Sequence, residues 1–191
     1  MILESIVTSV DAEGHINVAP MGPRIDDDSH ILLRPFNSSQ TYRNLAATRK
    51  AVVHVTDNAE LIARAAVGAI AAEEIDSLVE RIDQTDWWPL KDCHRWYAVE
   101  VESISNDQPR VDMHCRVSRS RIVRPFFGFN RGKHAVVEAA ILATRTHILP
   151  PEEIAGELER LRPLVDKTGG PAERRAFEFL QETIDERIAN R

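Results

Sequence analysis

Asn17-Val18-Ala19-Pro20-Met21-Gly22-Pro23 and, further on, Arg34-Pro35-Phe36-Asn37-Ser38-Ser39-Gln40-Thr41-Tyr42-Arg43-Asn44 are the stretches on which the fold turns. The first reads as a strand interrupted by two prolines. Proline has no N–H to give to a ladder, so such a strand belongs at a sheet edge or at a bulge. A bulged edge leaves backbone N–H and C=O groups free to meet the polar rim of a flat heterocycle. The second stretch reads as a strand that ends in an arginine and passes through a hydroxyl-rich turn into a helix. Asn37 or Ser38 is the expected cap. The open amides and positive dipole end of such a helix make an anion site. Ser38, Ser39 and Thr41 add hydroxyl donors there, and Arg34 offers a bidentate cation to a phosphate. Taken singly, each stretch also has a plain structural reading, as an irregular edge strand and as ordinary helix capping.

Working outward, Ile2 to Val10 and His15 to Ile25 form a hairpin around Asp11-Ala12-Glu13-Gly14. After a polar turn at Asp26-Asp27-Asp28-Ser29, His30 to Arg34 is the third strand. A helix over Asn37–Thr48 and a strand over Ala51–Thr56 follow. From Ala59 to Ile82 apolar residues recur at helical steps, with a possible break at Gly68. Trp87-Trp88-Pro89 is a loop. Arg95–Ser105 and Val111–Val123 alternate as two long strands around Asn106-Asp107-Gln108-Pro109. Helices then run over Lys133–Ile148, from Pro151 to Gly169-Gly170, and from Pro171 onward, the last with Phe177, Leu180, Ile184 and Ile188 as its buried stripe. Sheet first and helices last is an α+β arrangement: an antiparallel split β-barrel with a C-terminal helical subdomain. The expected division is a barrel domain over 1–130, with an inserted helical segment near 59–82, and a helical subdomain over 131–191.

Composition narrows the function. The 191 residues are 43% hydrophobic and 28% charged, with a formal net charge of −6. That balance argues against a general nucleic-acid binder, which needs a basic surface. Two cysteines, Cys93 and Cys115, imply no disulfide framework. The start shows neither a basic segment nor an apolar one of signal type, and the longest apolar run is too short for a membrane span, so a cytoplasmic location is expected.

The two opening stretches, in this order, resemble the FMN-binding split-barrel flavoproteins, which include the flavin reductase-like and flavoredoxin families. Over nearly its full length the chain is similar to the DUF447 family, through Glu4-Ser5-Ile6-Val7-Thr8, the Asn17–Gly22 strand, the Ser39–Asn44 turn, and Asn130-Arg131 ahead of a helix bearing Glu138. The resemblance implies FMN as cofactor. Val18, Ala19 and Met21 would meet the flavin ring through their backbone, while Arg34, Ser38, Ser39, Gln40, Thr41 and Asn44 would hold the phosphate and ribityl chain. It further implies a homodimer with FMN at the subunit interface, to which Asn130 and Arg131 come from either subunit. The broader reductases often carry a lysine in the phosphate turn; here stands Ser38-Ser39-Gln40, which leaves Arg34 or Arg43 to balance the charge. The implied activity is that of an FMN-dependent oxidoreductase using NAD(P)H or a small redox substrate. The alternative is a flavin-binding or dimerisation module without turnover.

Other signals have plainer readings. Arg131 is a candidate for stabilising reduced flavin or for a salt bridge to Glu138. A zinc site at Cys93-His94 and His114-Cys115 fails on geometry, because a turn centred on Asp107-Gln108 sets His114 opposite Val101. That is seven residues from His94, roughly 23 Å at strand rise, against ligand bonds near about 2 Å. No metal is expected. The arginines at 116, 119, 121 and 124 mark an anionic-substrate site or a solvated strand. Trp87 and Trp88 either stack on a ligand or anchor a loop, and His54 reads as a hydrogen-bonded core residue.

Overall fold

The structure, a computed structural model, describes residues 1–25, 27–105 and 109–191. The turn read at Asn106-Asp107-Gln108 and the first residue of the Asp26 turn lie outside these residues. The chain folds into two compact units, Met1–Thr56 with Ile70–Phe126, and Asp57–Ala69 with Phe127–Arg191.

The first unit is built on a seven-stranded antiparallel sheet. Its strands are β1 (Ser5–Val10), β2 (Ile16–Met21), β3 (Arg24–Ile25), β4 (His30–Leu33), β5 (Lys50–Val55), β6 (Arg95–Ser105) and β7 (Asp112–Ile122), in the order β2-β1-β5-β6-β7-β4-β3. The chain ahead of β1 crosses to the far edge. Ile2 bridges to Arg24, and Met1 O accepts from the Ile25 amide at 3.0 Å. The sheet therefore curls toward closure, as a split barrel must. β2 lies at an edge, where Pro20 needs no ladder donor. In the β1–β2 turn, Asp11 Oδ1 accepts the amides of Glu13 (3.0 Å) and His15 (2.8 Å), and Gly14 takes φ +95°.

The inner face of the barrel packs Val7, Ile31, Leu33, Val53, Val99 and Met113 against Leu45 of α1 (Gln40–Thr48). On the opposite face the segment from Ile70 to His94 covers the sheet. Thr8 Oγ1 donates to Trp88 O (2.7 Å), Trp87 Nε1 donates to Val99 O (3.3 Å), and His54 accepts the Leu90 amide. These bonds overturn the expected helix out to Ile82. α2 (Ala59–Val67) ends at Gly68 and α3 (Ala72–Leu78) ends four residues short of Ile82. Val79 instead bridges Leu90, and the Ile82 amide donates to Trp87 O. A buried tryptophan with its indole N–H satisfied outweighs the weak local preference for one more helical turn.

The second unit packs α2, α4 (Arg131–Thr144), α5 (Pro151–Thr168) and α6 (Pro171–Ala189). Alanines at 59, 63, 135, 139, 140 and 143 share its core with Ile154, Phe177, Leu180 and Ile184. Small residues let helix axes approach closely. One close approach is Gly132 to Gly169, where a Cβ on Gly132 would stand 2.8 Å from the Gly169 backbone. Lys133 Nζ joins Asp57 (3.4 Å) and Glu173 (3.1 Å), tying the starts of α2, α4 and α6. Burial raises the Glu173 carboxyl, but bonds from Lys133 and the Gly170 amide outweigh it and leave it below its usual value.

Candidate functional site

The loop from β4 to α1 forms the N-terminus of a helix whose position the core fixes. Leu45 is fully buried and Tyr42 packs at the rim of the same cluster. The cap is Ser39, not the expected Asn37 or Ser38. Its Oγ accepts the Tyr42 amide (3.1 Å) and donates to Phe36 O (2.8 Å), a geometry that only the residue directly before the helix can reach. The next two amides, of Gln40 and Thr41, have no hydrogen-bond partner among the described residues. These are the orphan donors that an α-helix leaves at its start, aimed along the positive end of the dipole.

Two side-chain links fasten this turn to the sheet. Asn17 Nδ2 on β2 donates to Thr41 Oγ1 (3.1 Å), and Asn44 Nδ2 donates to Ser9 Oγ on β1 (3.1 Å). Thr41, Asn44 and Ser9 are 2%, 1% and 1% exposed. The register pairs Ser9 with Asn17, Val7 with Ala19 and Ser5 with Met21, so Asn17, Ala19 and Met21 share the sheet face on which α1 packs. Val18 and Pro20 point to the other face. Thus β2 and the Ser38–Asn44 turn, read separately from sequence, are brought together, and Asn17 is the contact that sequence reading did not single out by its side chain.

The arginines are differently placed. Arg34 Nε lies 2.6 Å from Asp112 Oδ1 across the β4–β7 side of the barrel. Arg110 stands over the Phe36 ring at 4.1 Å and donates to Arg34 O. Arg43 folds back on the turn itself, with Nε and Nη2 on Gln40 Oε1 (3.1 and 2.7 Å) and Nη1 on Ser38 O (2.7 Å).

A family model described as the N-terminal domain of DUF447, a protein of unknown function, matches residues 3–124, and a DUF447 C-terminal model matches residues 130–182. The chain belongs to the DUF447 family. An FMN-bound DUF447 protein from Methanosarcina mazei has the same fold, at 23% identity with a TM-score of 0.81, covering 95% of this chain and 94% of that one. An FMN-binding protein from Thermus thermophilus, crystallised with 1-cyclohex-2-enone, shares the barrel at 14% identity (TM-score 0.53; 64% and 72% covered). So does a flavin reductase domain protein from Arthrobacter sp. FB24 at 17% identity (TM-score 0.52; 63% and 77% covered). The DUF447 chain is therefore an α+β protein with the antiparallel split-barrel fold of flavin reductase-like proteins.

Within this DUF447 chain, Asn130 and Arg131 fall in the helical unit. Asn130 caps α4 through Oδ1 on the Lys133 amide (3.0 Å), and its Nδ2 donates to Thr168 O (2.8 Å). Arg131 opens α4 on the surface. Glu138 stands in the same helix two turns away, about 10 Å along the axis, too far for the ion pair that the sequence suggested. Cys93 and Cys115 are buried apart, each with its thiol on a backbone carbonyl, Leu90 O and Met113 O, and burial pushes them up to about 11 and about 12. Bulges in the β6–β7 ladder shift the expected register, so that Val101 faces Cys115 and His114 faces Ser103. Among the described residues, the one group of possible metal ligands is Asp11, Glu13 and His15, whose Asp11 carboxylate already holds the turn. No helix among the described residues is long and apolar enough to cross a membrane.

Proposed function

We propose that this chain is an FMN-binding flavoprotein, an oxidoreductase of the flavin reductase-like kind, that works as a homodimer with FMN at the subunit interface. The observation that carries the reading is the pair of open amides, Gln40 and Thr41, at the start of a core-anchored helix beside the β2 edge. A phosphate satisfies both amides and the dipole at once. In this reading the Ser38-Ser39-Gln40-Thr41 turn holds the phosphate, Asn44 stiffens it from beneath, and Val18, Ala19 and Met21 offer backbone groups to the ring. Arg131, and Asn130 through the α4 start it caps, come from either subunit.

FMN, when bound, supplies hydride or electron transfer. The protein's residues bind and orient the ring and exclude water, so no nucleophile or acid–base pair is needed from the chain. Spectroscopy tests the reading. Purified protein, or apo-protein titrated with FMN, should absorb near about 450 nm and quench flavin fluorescence with saturation. Bleaching by NADH or NADPH identifies an enzyme, and colour without reduction identifies a carrier. A colourless protein that takes up no FMN refutes the proposal.

A further inference from the structure

We propose that Arg43, and not Arg34, is the cation through which this site prefers a phosphorylated flavin to an unphosphorylated one. The inference rests on the flavin reading above and adds the residue that sets selectivity.

Charge separates the two arginines. The Arg34 guanidinium is matched by the Asp112 carboxylate at 2.6 Å, and a phosphate would have to compete with that partner. Every partner of Arg43 is neutral: the Gln40 side-chain oxygen and the Ser38 carbonyl. No carboxylate pairs with it among the described residues. Position separates them as well. By gripping Ser38 O and Gln40 Oε1, the Arg43 guanidinium sits on the same turn that presents the open amides of Gln40 and Thr41.

The helix dipole acts in the same direction. α1 has no acidic residue in its first turn, and a cation there is opposed by the positive end of the helix. No acidic side chain of that turn offsets the opposition, whereas a bound dianion would reverse it. Arg43 is also held in place. Gln40 Nε2 donates to Asn44 Oδ1 (2.6 Å), and Asn44 in turn donates to buried Ser9. A chain of hydrogen bonds from β1 thus reaches the cation and holds it in one position before any ligand arrives, which lowers the entropy lost on binding. Gln40 and Asn44 act through Arg43 as positioning residues.

The test compares FMN with riboflavin, which differ by the phosphate alone, binding to the full-length protein by fluorescence titration. Arg43→Gln should weaken FMN binding by about 10- to 100-fold while leaving riboflavin within a factor of about two, the range expected for one charge-assisted pair. Arg34→Gln should leave the FMN-to-riboflavin ratio unchanged. Arg43→Lys should keep part of the preference, because the charge stays and the fork is lost. Added salt should shrink the wild-type ratio and leave that of Arg43→Gln flat. Circular dichroism melts show that the exposed-site variants are folded. The inference is overturned if Arg43→Gln weakens both flavins alike or neither, or if Arg34→Gln removes the preference. A wild-type protein that binds both flavins equally sinks this inference and spares the flavin site; one that binds neither sinks the flavin reading itself.

Discussion

Acid should destabilise this protein through one residue in particular, His54. The imidazole is wholly buried between two elements of the first unit: Nδ1 lies 2.9 Å from Ile6 O on β1, and Nε2 lies 2.9 Å from the Leu90 amide in the covering segment. An amide can only donate, so Nε2 must be the unprotonated acceptor and Nδ1 must carry the hydrogen. Protonation would set a second N–H against the Leu90 N–H and bury a charge. Burial accordingly pushes His54 down from the ordinary 6.5 to about 4, with the bond to Ile6 O opposing weakly. The folded value lies below the unfolded one. The stabilisation is therefore complete above pH 6.5, declines as pH falls below it, and is gone once the folded form titrates near pH 4. That interval corresponds to about 3 kcal/mol, of which about 2 kcal/mol is already lost at pH 5. Urea unfolding at several pH values between 7.5 and 4.5 measures this, with His54→Gln as the reference chain, since the other six histidines contribute equally to both. The wild-type curve should fall more steeply by about 2 kcal/mol over the range from pH 7 to 5. Parallel curves, or an imidazole signal for His54 that titrates near 6.5 in NMR, would refute the argument.

Two further outcomes follow from the helical unit. Gly132→Ala drives a Cβ into the Gly169 backbone, which cannot swing aside as a side chain can, and should lower stability by about 1–3 kcal/mol in thermal melts. A melt unchanged by the substitution would mean that the α4 and α5 ends are not held as close as 2.8 Å implies. Glu173→Gln weakens the partner of Lys133 and the bond to the Gly170 amide, and should cost about 1–3 kcal/mol by urea unfolding at pH 7; the difference from wild type should shrink in acid, where Glu173 takes up a proton.

What could be read from the residues was what is local. The Asp11–Gly14 turn, the prolines that place β2 at an edge, and the Pro151, Gly169 and Pro171 signals that bound α5 and α6 all act within a few residues of themselves. What could not be read depends on partners far along the chain. Arg34 finds Asp112 78 residues later, which nothing in its own neighbourhood announces. The residues from Ile75 to Ile82 keep a helical period, yet Trp87 and Leu90 draw their second half into a ribbon. α2 follows β5 directly, but Ala59 and Ala63 pack with Ala135 and Ala139, so its membership of the helical unit rests on a seam of small side chains that carries no local signal. At the site itself, the hydroxyl-rich turn was visible as a pattern, whereas its cap at Ser39 and the return of Arg43 onto Ser38 are facts of geometry.

The same arrangement bears on the flavin proposed above, a ligand with an anionic end and a flat end. Open amides suit an anion, and a helix start and a sheet edge are two places that leave them. Here both occur side by side, and they are not independent: the Asn17–Thr41 bond ties the edge strand to the first turn of α1, while Asn44–Ser9 ties the second turn to the neighbouring strand. Neither link can shift without breaking a bond of a residue that is almost wholly buried at one end. The distance between the open amides of Gln40 and Thr41 and the β2 edge is thus fixed by the core, through Leu45 and Val7, rather than by the loop that joins them. A loop alone would have to be ordered by the ligand. A turn held from below by the sheet is ordered already, so the interactions made with a ligand remain available for choosing between ligands.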